Sequence, residues 1–174
     1  MPNPFLKRQM EHDVWATEKM LERCRKLTPE QLEFAAQGTY GTIRRTLQHI
    51  VSADEGYLVR LSGKLLHETP FRESDPATLD DVATHLRHVK EAAARLFAGP
   101  TLDAERLITD TPLRPPGAKR FEMFTWVPAA QLINHGVEHR SHINTVLAAH
   151  GLETVDLQIW PYAIELKASY EGKP

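Results

Sequence analysis

The chain has a single cysteine, Cys24, in 174 residues. An intramolecular disulfide is therefore impossible, and so is a zinc site built from several thiolates. Cys24 shares a helical stripe with Leu21 and Leu27, which marks it as a small buried hydrophobe rather than a nucleophile. Long apolar runs are also missing, and nothing approaches the roughly 20 residues that a membrane-spanning helix needs. The segment Met1–Met10 carries charges and prolines without an apolar centre, so it does not read as a signal peptide, and the cytoplasm is the expected location. Excess positive charge is lacking too. With 21 Lys and Arg against 23 Asp and Glu, the formal net charge is −2, the wrong balance for a protein that tracks a nucleic-acid backbone. Local basic clusters at Arg23–Lys26 and Arg114–Arg120 sit among acidic residues and read as solvated surface.

What is present is an ordinary globular balance: 41% hydrophobic and 25% charged residues. The length suits one domain spanning residues 1–174, large enough to build a core without staples. The periodicity predicts an all-α fold, an up-down bundle of four long helices. The first runs from Pro4 to Leu27, with Met10, Val14, Leu21, Cys24 and Leu27 inward and Trp15 beside them in the core. Thr28-Pro29-Glu30-Gln31 forms a capping box that opens a short turn. The second long helix starts near Thr42 and ends at Gly63. Its inner face holds Ile43, Leu47, Ile50, Asp54, Leu58 and Leu61, with Thr46, His49, Ala53 and Tyr57 one step around. Asp75-Pro76 and Thr78 announce the third helix, whose seam is Leu79, Val82, Leu86, Val89, Ala93 and Leu96, stopped by Gly99-Pro100. Leu107–Thr111 and Phe121–Thr125 resemble two short strands around Pro115-Pro116-Gly117, a small strand or loop insertion. The fourth long helix begins near Val127 and runs to His150, closed by Gly151. A short extra helix, Asp156 to Glu171, follows, with a break expected near Pro161.

Nine histidines are many for this length, and histidine is the commonest metal ligand. His135 and His139, in Asn134-His135-Gly136-Val137-Glu138-His139-Arg140-Ser141-His142, are i and i+4 on the fourth helix. That spacing puts both imidazoles on one face, one turn apart, where they can share an ion. Their stripe continues through Leu132, Ile143 and Val146, so both point inward. A buried imidazole without a partner costs roughly 1–3 kcal/mol, and neighbouring aliphatic side chains offer none. Two readings stay open on spacing alone: a metal pair or a packed polar network. His49, at the inner edge of the second helix, is a candidate third ligand, since bundle cores house metals on facing helices. Three histidines and a water would make an open, catalytic-type site. His142, on the same face as His135 and His139, can replace His49, act as a fourth ligand that closes the site, or hydrogen-bond behind the ligands. His12, His67, His85, His88 and His150 fall on polar faces or loops and are expected to be solvated.

At this point the residues resemble a known family. Gly41-Thr42-Ile43-Arg44-Arg45-Thr46-Leu47-Gln48-His49-Ile50, with its Thr-Leu-x-His-Ile core, is similar to the second helix of the DinB-like metalloproteins. Asn134-His135 followed by His139-Arg140 resembles that family's His-x-x-x-His-Arg helix. Asp13-Val14-Trp15-Ala16 resembles its first-helix signature, and Asp156-Leu157 with Trp160–Tyr162 its C-terminal segment. Members often read Arg-Gly-Gln after the last ligand, where this chain has Arg140-Ser141-His142. The resemblance implies a four-helix bundle, usually a homodimer, and one divalent metal ion, zinc or nickel, on His49, His135 and His139. It also implies kinship with bacillithiol and mycothiol S-transferases and mycothiol-dependent maleylpyruvate isomerase. The expected activity is then metal-dependent thiol S-transfer, or hydrolysis, in detoxification, with a low-molecular-weight thiol as co-substrate. Asp54, Tyr57, Arg140 and His142 are candidates for contacts to substrate or to the ligands. The alternative is a helical bundle that the metal only stiffens, or one that binds a small ligand without turnover. No nucleic-acid or membrane partner is expected.

Overall fold

A computed structural model describes residues 4–98, 102–108 and 122–168. Helix α1 spans Pro4–Cys24, the short α2 Pro29–Leu32, α3 Ile43–Ser62, α4 Leu79–Ala98, α5 Trp126–Ala149 and α6 Ile159–Glu165. Between α4 and α5, β1 (Leu107–Ile108) pairs antiparallel with β2 (Met123–Phe124), Leu107 opposite Phe124 and Ile108 opposite Met123. The bundle and its small strand insertion are as the periodicity predicts. Gly99-Pro100, Thr109–Thr111, the turn at Pro115–Gly117, the basic run Arg114–Arg120 and Phe121 lie outside the described residues.

Local chemistry sets most of the helix ends. Thr28 accepts from the Gln31 backbone N–H while the Gln31 side chain accepts from the Thr28 N–H, so the capping box forms. Thr42 caps α3 through the Arg45 N–H, and Gly63 ends it in the left-handed region at φ 71°. Thr78 and Asp81 close a reciprocal cap at the start of α4. Helix α1 stops at Cys24, earlier than Leu27. There Lys26 and Leu27 donate to Arg23 and Cys24, i to i−3 bonds, so the chain tightens while its apolar spacing continues. Helix α6 starts later than Asp156 and ends at Glu165, and Ser169–Glu171 lie outside the described residues. The Asp156 carboxylate takes the Gln158 N–H in a turn before it, and Lys167 adopts φ 55° after it. Pro161 does not break α6, because it falls in the first turn, where no intrahelical donor is needed.

Helix α1 packs on α4 and α5, and so does α3, which leaves α1 and α3 diagonal. Contacts fix the directions. Arg25 meets Asp80 and Glu18 meets Lys90, so α1 and α4 are antiparallel. Phe34 stacks on His150 while Tyr57 meets His135, so α3 and α5 are antiparallel. Gln48 reaches Asp75 and Glu55 reaches His85, so α3 and α4 run parallel. The helices therefore run up, down, down, up, and not in the alternating up-down order expected from the sequence. The loop 63–78 makes the parallel pair possible by returning along α3 from its C-terminal to its N-terminal end. Met10, Met20, Ile43, Leu47, Ile50, Leu58, Leu132, Ile143 and Leu147 fill the shared core, and Cys24 is fully buried among them.

Candidate metal centre

The facing pair α3 and α5 brings His49 onto His135 and His139. The Nε2 atoms of His49 and His135 are 2.9 Å apart. One nitrogen from each of the three rings lies within 4.8 Å of the other two. Nitrogens 2.0–2.1 Å from one tetrahedral ion would sit about 3.3 Å from each other, so small side-chain movements suffice. His135 and His139 are buried at 6% and 7% exposure, while His49 is half-buried at the rim.

Two residues absent from the sequence-based candidates complete the surroundings. Glu73, from the returning loop, places Oε2 at 2.8 Å from His49 Nδ1. The Tyr40 hydroxyl donates to Glu73 at 2.8 Å, lies 3.1 Å from His49 Nδ1, and its ring stacks on His49 at 4.1 Å. Arg45 Nε donates to Glu73 Oε1 at 2.9 Å. A carboxylate on Nδ1 fixes the proton there and leaves the Nε2 lone pair facing the other histidines, as in carboxylate–histidine–metal triads. Burial opposes ionisation of Glu73. The hydrogen bonds from Tyr40 and Arg45 and the neighbouring His49 outweigh it and hold the carboxyl below its usual range. Neither residue was legible in the sequence, because both sit in loops without periodicity. The signal that existed was the run of polar residues between two confident helices, too long for a tight turn.

Burial, then the neighbouring His139 and His49, push the His135 imidazole down to about 4. Burial and the nearby His49 and His142 lower His139 as well. Both rings are therefore neutral at pH 7, the form that binds a metal. His135 Nδ1 is buried without a partner among the described residues. A set of neutral, converging imidazoles with one carboxylate behind it could hold a metal ion.

The other candidates distribute around this group. His142 meets His139, Nδ1 to Nδ1 at 3.3 Å, and is not among the three converging rings. Tyr57 places its ring 5.7 Å from that of His135. Arg140 turns to the opposite side of α5. Its guanidinium is 2% exposed and donates to Asp13 Oδ1 at 2.6 Å, the Asp13 carbonyl at 3.2 Å and Thr17 Oγ1 at 2.8 Å. Gly136 makes room for this ion pair, since a Cβ there would lie 2.5 Å from Asp13 Oδ1 and 2.6 Å from Arg140 Nη1. Asp54 is 1% exposed, and neither carboxylate oxygen is hydrogen-bonded among the described residues.

The expectation of solvated histidines fails at four positions. His67, His85 and His88 are half-buried around Glu55. His12 is wedged between Trp15 and Tyr162 and bonds the Leu157 carbonyl at 2.9 Å. A polar helix face meets water only where nothing covers it. Here the loop 63–78 and the segment 152–168 cover two such faces. His150 is exposed as expected.

A family model described as the DinB family matches residues 1–163. Protein DinB of Bacillus subtilis (strain 168) is 22% identical over 144 residues, 81% of this chain and 83% of that protein. Among solved structures, a DinB-like protein from Bacillus cereus ATCC 10987 aligns with a TM-score of 0.61 at 23% identity, covering 84% of this chain and 91% of that one. That likeness speaks for the fold: the same kind of helical bundle carries the histidines on α3 and α5. With a family model that takes in residues from α1 to the middle of α6, this chain belongs to the DinB family.

Proposed function

We propose that this protein is a metal-dependent enzyme in which His49, His135 and His139 hold one divalent ion, zinc or nickel, with a position left open. The observation that carries the reading is the convergence of the three imidazoles within 4.8 Å, with Glu73 on the far nitrogen of His49. Three protein ligands and a free position are the arrangement of catalytic rather than structural zinc. The position of His142 behind His139, not beside the other two rings, supports an open site over a closed one. A bound ion lowers the pKa of a coordinated water or thiol and yields a nucleophile at neutral pH. The chain's own groups keep the ligands neutral, fix the His49 tautomer through Glu73, and place the Tyr57 ring 5.7 Å from that of His135. A low-molecular-weight thiol adding to an electrophile is the reaction this arrangement serves, in the cytoplasm, with two copies forming a homodimer.

The test is to load the purified protein with Co²⁺ and titrate thiols. Intense d–d bands of a four-coordinate ion and a thiolate charge-transfer band on adding thiol are expected. The thiolate band should be lost in His135→Ala and His139→Ala. A thiolate band that persists in those variants, or the lack of such a band with every thiol tried, would refute this assignment. A metal that binds and stiffens the bundle without admitting a thiol is the non-catalytic alternative, and the thiol arm separates the two.

A further inference from the structure

A second group of potential ligands lies on a different face of α3. Glu55 is six residues beyond His49, which places it about 9 Å further along the helix and about 120° around it. It faces α4 rather than α5. Glu55 is 4% exposed, and its Oε1 sits 2.8 Å from His67 Nε2 and 2.7 Å from His85 Nδ1. His88, one turn after His85, brings its ring within 4.9 Å of His67 and 5.6 Å of His85. One donor atom from each of the four residues lies within 4.8 Å of the rest.

Hydrogen bonding alone does not account for this group. Glu55 Oε1 can accept from His67 and from His85, and Oε2 is taken by the Phe71 N–H at 3.1 Å. That leaves His88 Nδ1 buried with no partner among the described residues. An unpartnered buried nitrogen costs roughly 1–3 kcal/mol, and three imidazoles around one carboxylate is a poor use of a core-facing site. A cation coordinated by all three rings removes the mismatch. The Phe71 N–H would then hold the carboxylate in place from behind, as the outer partners of metal ligands do. A small cavity of about 40 Å³ opens beside Glu55, His67 and Phe71.

We propose that Glu55, His67, His85 and His88 form a second, structural metal site for a Zn²⁺-class ion. Three nitrogens and one carboxylate oxygen suit such an ion and fill four positions, so the site is closed and not catalytic. Its ligands come from α3, α4 and the loop between them. The ion therefore staples the loop 63–78 against the two parallel helices. The same loop carries Glu73 to His49, so the structural site holds in place the residue that orients a ligand of the other centre.

The experiment is metal counting on the chelator-stripped full chain, reloaded with Zn²⁺ in a weak chelating buffer, together with trypsin cleavage at Lys64 and Arg72 in the loop. Wild type should hold two equivalents. His85→Ala/His88→Ala and the milder Glu55→Gln should hold one, with circular dichroism confirming the fold. His135→Ala/His139→Ala should also hold one and keep Zn²⁺ protection of the loop, which the α4 and Glu55 variants should lose by about tenfold in cleavage rate. One equivalent in wild type that vanishes only with His135→Ala/His139→Ala, or loop cleavage indifferent to Zn²⁺, overturns the proposal. One equivalent that vanishes only with the α4 variants sustains it and overturns the three-histidine centre instead.

Discussion

Burial sets the charge state of the side chains along the α1–α3–α5 contact, and Asp54 shows it most directly. Removal from water, then the nearby Asp13, raise its pKa well above the ordinary 3.8, and Arg140 only partly offsets them. The folded protein holds Asp54 as the neutral acid while the unfolded chain ionises it. A raised carboxyl destabilises the fold progressively as pH climbs from the unfolded value toward the folded one, and has no effect below both. Asp54→Asn should therefore be more thermostable than wild type near neutrality. The gap should widen with pH by about 1.4 kcal/mol per unit across that window, which is about 2–4 °C in Tm for each kcal/mol. Melting curves from pH 4 to 8 check this, and parallel curves for the two proteins would count against it. Asp54 was legible as an inward position from its spacing alone. Its isolation was not, because that depends on Arg140 turning to Asp13 and not to Asp54.

At the scale of elements, the helices were readable and the return loop was not. Caps at Thr28, Thr42 and Thr78 and the glycine stop at Gly63 are local chemistry written within four residues. The i, i+4 pair on α5 is likewise local, which is why His135 and His139 were visible from spacing while the third ligand position needed a family resemblance. Glu73, Tyr40 and the grouping of His67 with His85 and His88 arise from where a non-repetitive loop lies, and no period encodes that. The loop's contribution can be measured. Glu73→Gln keeps the shape and removes the charge that fixes His49 Nδ1. Removing such a partner typically costs 10–100-fold in metal affinity. Competition against a chromophoric chelator should show a loss in that range, with helix content unaltered. Affinity equal to wild type would mean that Glu73 serves Tyr40 and Arg45 alone.

For the whole molecule, the order up, down, down, up settles which faces meet. Alternation of polar and apolar residues specified four amphipathic helices without specifying that α3 and α4 run parallel. That depends on a long connection able to span a helix length. The same arrangement puts His49 and His135 opposite each other although 86 residues separate them in the chain. Such a pairing is expensive in loop-closure entropy and forms late, after local helices have appeared. Metal capture at the proposed three-histidine centre would thus report chain closure, because in the unfolded chain His49 lies 86 positions from His135. In stopped-flow refolding of the His85→Ala/His88→Ala variant with Co²⁺ present, the d–d bands should grow with the slowest phase of tertiary assembly and lag the recovery of helical signal. Bands that appear in the dead time would show that a local pair suffices. If the proposed centre holds its metal and closure governs, a cell making this protein would load that metal at a moment set by folding rate, and a substitution far from any histidine that slows closure would leave the protein metal-poor with the three histidines intact.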